Sequence, residues 1–177
     1  MEKSFKSSAS TYGIYLALIL SSFTIIGYAV YLDLFTQWWF GIGQMILVIV
    51  IGIISAMKAR QLLGGFISFK DAFTAFFITI AIGIVIPAII GLIIFNFVDT
   101  DAAMILQEKI IDNQMSMMKK FGAPQEVMDE TIKQIEAQGS FFSISNLLKS
   151  IAYQLVGFSV VGLIVALVVK RNDPDLA

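Results

Sequence analysis

The sequence contains no cysteine and no histidine, only three prolines, and charged side chains at just 14% of its 177 residues. Without cysteine there are no disulfides, no thiolate metal sites and no cysteine nucleophile. Without histidine the commonest metal ligand and the usual neutral-pH general base are gone as well. Any chemistry must come from carboxylates, Lys, Tyr and Ser/Thr, and no cofactor is expected. Arginine occurs only at Arg60 and Arg171 and the formal net charge is -1, so no basic stripe is available to track a phosphate backbone. Nucleic acid is not an expected partner.

In place of charge there is apolar surface. Hydrophobic residues make up 58% of the chain and mean hydropathy is +0.85. Twelve basic and thirteen acidic side chains cannot coat that much hydrocarbon in water, so membrane lipid is the expected solvent.

Hydropathy divides the chain into four charge-free runs, at about 12–32, 38–57, 73–97 and 151–169. At 1.5 Å per residue, roughly 20 residues match a hydrocarbon core of about 30 Å. The first run is longer than the 7 to 15 residues of a signal-peptide core and lacks a small-x-small cleavage site, so it reads as a retained helix. Trp38, Trp39, Tyr28 and Tyr31 suit a membrane interface around the connection that follows it. The second helix is expected to continue through Lys58, Arg60 and Gln61 and to stop at Gly64 and Gly65. Ser68 and Asp71 then form an S-x-x-D capping box that starts the third span.

Lys3, Lys6, Lys58, Arg60, Lys70, Lys170 and Arg171 flank the runs on one side, whereas the connection between spans one and two holds no Lys or Arg. The positive-inside rule therefore puts both termini in the cytoplasm and residues 98–147 outside. That outer segment reads as an amphipathic helical hairpin. Asp99 or Thr100 caps a helix running to Phe121, Gly122 ends it, and Pro124 opens a second helix that runs to Gly139. Between Val98 and Leu147 eight acidic residues face four lysines. The fold class is all-α: four transmembrane helices in a single membrane domain over 1–177, with an external helical hairpin between spans three and four.

Among the polar side chains inside the apolar runs are Gln44, Thr79 and Gln154, with Ser159 and, near a boundary, Asn96. They make either a polar path or interhelical hydrogen bonds. Gly83, Pro87 and Gly91 recur at a spacing of four, which combines a small-residue packing groove with a proline that deletes one backbone hydrogen bond, and so reads as packing or a hinge. The absence of an intramembrane charge argues against a proton-coupled pump. Met104, Met115, Met118 and Ile132 are candidates for an apolar partner face, though packing within the hairpin or on the lipid surface is the simpler explanation of the methionines. The pairs Asp99/Asp101 and Asp129/Glu130 read as helix capping and solvated surface rather than a paired-acid active site.

The stretch Gly64-Gly65-Phe66-Ile67-Ser68-Phe69-Lys70-Asp71-Ala72-Phe73, with an acidic helical insertion before span four, resembles an uncharacterised Bacteroidota family of small four-span inner-membrane proteins, a domain of unknown function. The resemblance implies a bacterial cytoplasmic membrane location and four helices. It implies no activity, ligand or site residue. The expectation is thus a non-enzymatic accessory or structural subunit that contacts a protein partner, or itself as a homo-oligomer, through the hairpin. A small-solute permease or channel acting as an oligomer is the alternative.

Overall fold

Four helix starts carry a side-chain cap, and these caps set the frame of a computed structural model that describes residues 4–171. Ser4 Oγ accepts from Lys6 N at 3.3 Å, Ser68 Oγ from Asp71 N at 3.0 Å, Asp99 Oδ1 from Ala102 N at 2.8 Å, and Ser143 Oγ from Asn146 N at 3.3 Å. Each satisfies an amide that the first helical turn leaves without a carbonyl partner. The Ser68 hydroxyl also donates to Asp71 Oδ2 at 2.7 Å. The carboxylate therefore closes the box on the hydroxyl.

The described residues form six α-helices: α1 Phe5–Val30, α2 Trp38–Leu62, α3 Phe69–Ile93, α4 Thr100–Lys120, α5 Gln125–Gln138 and α6 Ile144–Val169. A 3₁₀ turn, Leu32–Thr36, joins α1 to α2, and a π turn, Ile94–Val98, continues α3 toward α4. No β-strand forms among the described residues. Four helices, α1, α2, α3 with its π turn, and α6, are long and apolar enough to cross a membrane. Helices α1 and α6 begin earlier than their apolar runs, at Phe5 and Ile144 rather than near 12 and 151, because the capping serines stand a turn or more ahead of the first hydrophobic stretch. Lys3, one of the residues used for orientation, lies outside the described residues.

Helix α3 is the hub and packs on α1, α2 and α6. Phe76, fully buried, fits between two glycines. A Cβ on Gly52 of α2 would lie 2.5 Å from its ring, and one on Gly162 of α6 would lie 2.8 Å away. On the other side Leu16 of α1 fills the space over Gly83, where a Cβ would come within 2.3 Å. Lipid tails are as apolar as the side chains, so this interlocking, and not a hydrophobic gradient, holds the helices together.

The two ends of the bundle differ. At one, Gly64 and Gly65 take positive φ (77° and 92°) and turn the chain between α2 and α3. Ile67 there exchanges backbone hydrogen bonds with Arg171, both at 3.0 Å, while Arg60 Nη1 donates to Val169 O at 3.4 Å. Arg171 also lies over the Phe66 ring at 5.8 Å. The end of α6 is thus fastened to the α2–α3 turn, with Arg60 placed at the negative end of the α6 dipole. At the opposite end, α4 packs on the 3₁₀ turn and the π turn.

Candidate functional site

The α4 end is built on aromatic and polar contacts. Phe95 of the π turn is buried among Tyr28, Phe35 and Phe142, with ring centroids 6.1, 6.4 and 4.5 Å away. Lys109 of α4 is ion-paired with Asp33 of the 3₁₀ turn. Tyr28 donates to Asp99 Oδ2 at 3.1 Å, so the residue that caps α4 is also held by α1. Asn96 Nδ2 donates to Phe142 O at 2.8 Å and Phe141 N donates to Gln107 Oε1 at 3.0 Å, which fixes the chain entering α6. Through these contacts α4 turns Ala102, Ala103 and Leu106 toward the bundle and buries them.

Beneath α4 lies a cleft of about 320 Å³. Leu106 and Ile110 roof it, Leu20 and Thr24 of α1 and Pro87 and Gly91 of α3 line it, and Gln44 and Gln154 reach it from α2 and α6. The two glutamines are level with each other. Each stands eight residues before the glycine that receives Phe76, Gly52 or Gly162, on helices that run in the same direction. They therefore sit about 12 Å above the Phe76 layer. Gln44 is half-buried; Gln154 is exposed at the rim and donates to Ser150 Oγ at 3.1 Å.

Thr79 belongs to a different place. It is fully buried, and its Oγ1 lies 3.0 Å from Ala9 O, 2.7 Å from Ser55 Oγ and 3.0 Å from Ala75 O, joining α1, α2 and α3. Gln44 and Gln154 thus share a cavity that Thr79 does not enter. The stripe Gly83, Pro87 and Gly91 divides likewise. Gly83 is a packing hole for Leu16, whereas Pro87 and Gly91 face the cleft, and a Cβ on Gly91 would have only Thr24 Cγ2, at 4.0 Å, as a neighbour. Pro87 cannot donate to the Gly83 carbonyl, yet α3 continues without interruption through it.

The four apolar residues assigned to a partner face are dispersed. Met115 and Ile132 line a groove between α4 and α5 with Met128. Met118 lies with Phe35, Thr36 and Ile110 in a groove between α4 and the 3₁₀ turn. Met104 is exposed, as are Ile105, Met117 and Phe121. Of the acidic pairs, Asp99 caps α4, and Asp129 accepts from Gln125 at 2.9 Å on α5. The residues that sequence reasoning missed are Thr24, Phe35, Phe95 and Phe142. Only Asn96, a polar residue close to the boundary of an apolar run, signalled that α3 would be fastened to another segment there.

Four helices long and apolar enough to cross a membrane, with a cleft under the amphipathic α4 at one end, define a helical membrane bundle. The chain belongs to the DUF4199 family, described as a protein of unknown function, whose model matches residues 11–171. Comparison with curated proteins and with solved structures returns no match.

Proposed function

We propose that this integral membrane protein is a non-enzymatic accessory or structural subunit of the bacterial cytoplasmic membrane, in a Bacteroidota lineage. Both termini face the cytoplasm, and the α4–α5 hairpin outside contacts another protein chain, either a partner or a second copy. The observation that carries the reading is the incomplete cover over α4. Ala102, Ala103 and Leu106 hold its first turns to the bundle, while Met117 and the C-cap Phe121, further along the same stripe and lining the groove beside the 3₁₀ turn, stay exposed at 53 and 86%, and Met104 on the other face is exposed at 60%. An anchored helix with large apolar side chains left uncovered is the form of a contact surface. Single cysteines test it without background, because the chain has none of its own. Cysteines at Met117 and Phe121 should crosslink to a protein in native membranes, and a cysteine at Tyr153, on the lipid-exposed side of α6, should not. Equal capture at all three positions, or at none, rejects the reading.

The alternative, a small-solute permease or channel, draws on the cleft that Gln44 and Gln154 share. Against it, the buried layer of Thr79, Ser55, Phe76 and Ile80 fills the bundle below that cleft. Liposome flux decides: transport that is lost when both glutamines are replaced favours the permease.

A further inference from the structure

Two carboxamides line one apolar cleft. A carboxamide that faces hydrocarbon rather than water is costly unless a partner satisfies it. Gln44, half-buried at the cleft wall, offers two N–H donors and an acceptor oxygen, and Ser21 Oγ is the buried side-chain polar atom without a partner among the described residues, so those groups of Gln44 stay accessible. Gln154 uses one N–H on Ser150, which leaves its second N–H and its Oε1 free. No charged side chain lines the cleft, and Gly91 widens it where any larger residue would project inward. Gln154 is exposed at its rim, and Tyr153 and Val156, close to it on α6, are 77 and 66% exposed.

We infer that this cleft binds an uncharged lipid, its hydroxyl-bearing head held between Gln44 and Gln154 and its hydrocarbon chain running out past α6 into the bilayer. The head must both donate and accept, because Gln44 and Gln154 each offer N–H and C=O. A hydroxyl does both; a hydrocarbon does neither. A carboxylate or phosphate head would lie in a low-dielectric site with no cation facing it and is excluded. The volume, about 320 Å³, is at the lower end of the range for ligand pockets and suits a glycerol-sized head with its first methylenes. This inference goes beyond the contact role of α4 and rests on Gln44 and Gln154 rather than on Met104, Met117 and Phe121, so either can fail alone.

The probe is monooleoylglycerol carrying a diazirine in its acyl chain, added to the full chain in phospholipid nanodiscs and mapped by mass spectrometry after illumination. Labelling is expected on α2 and α6 beside the cleft, displaced by unlabelled monooleoylglycerol and not by oleate or tetradecane. The double variant Q44L/Q154L, which removes two neutral hydrogen-bonding groups, should lower labelling at least about tenfold. G91L should do the same by filling the cleft while both glutamines remain. The competition series uses the unsubstituted chain and decides the matter even if a variant fails to fold. Labelling spread evenly over the lipid-facing sides of all four spans, or displaced equally by oleate, or unchanged in both variants, overturns the inference.

Discussion

Phe76 of α3 lies against Gly162 of α6 so closely that a Cβ added to the glycine would sit 2.8 Å from its ring, and Gly52 of α2 stands as near on its other side. One aromatic side chain thereby sets the spacing of three helices. G52A and G162A should each lower stability by about 1 to 3 kcal/mol through overpacking. Gly157, one and a half turns earlier on α6, has no neighbour within 4 Å of a built Cβ. G157A should be neutral, or stabilising by up to about 1 kcal/mol from helix propensity. Thermal unfolding in detergent compares the three.

Thr79 joins three helices through one hydroxyl. T79V keeps the shape and removes the hydroxyl, leaving the buried Ser55 without that partner, so a loss of about 1 to 3 kcal/mol is expected. T79S should retain most of the stability. If T79V unfolds at the same temperature as the parent chain, the network does not hold the bundle.

The ion pair of Asp33 and Lys109 links positions 76 residues apart, with the two side chains 39 and 40% exposed. At that exposure water and salt screen it, and its worth is at most about 1 kcal/mol. Its effect should appear in position more than in stability. D33K or K109E should raise hydrogen exchange along α4 with little change in the melting of the bundle, and the double reversal D33K/K109E should restore protection.

The glycine turn permits a fourth test. Gly64 and Gly65 stand at φ 77° and 92°, in the left-handed region, so G64A or G65A should each cost about 1 kcal/mol. R171A should cost less, because its backbone pairing with Ile67 survives the substitution. Chemical denaturation in mixed micelles resolves the difference.

Hydropathy and capping chemistry made the membrane helices legible. The apolar runs mark α1, α2, α3 and α6, and the ends at Gly64 and Ser68 follow from positive φ and from the serine cap. Asp99 and Gly139 bound the segment between α3 and α6 in the same way. The long-range contacts were not legible. Nothing in the sequence pairs Asp33 with Lys109 or Ile67 with Arg171, or separates Thr79 from the cleft that Gln44 and Gln154 line, because each relation depends on how helices are set side by side. Thr79 and Gln44 look alike in sequence, each a single polar residue in an apolar run. Only helix rotation separates a sealed three-helix hydrogen-bond hub from a side chain facing a cleft.

That the uncovered apolar side chains of α4 and its C-cap meet another protein chain is tested most directly by thiol reactivity at three positions. Cysteines replace Ala103, which is buried, and Met104 and Phe121, which are exposed. Reaction with a maleimide is followed in native membranes and in vesicles where the purified chain is highly dilute in lipid. The predicted result is that A103C is inert in both, while M104C and F121C react in the dilute vesicles and are protected in native membranes. Equal reactivity of M104C and F121C in the two settings would contradict it, since lipid alone would then account for the environment of those side chains.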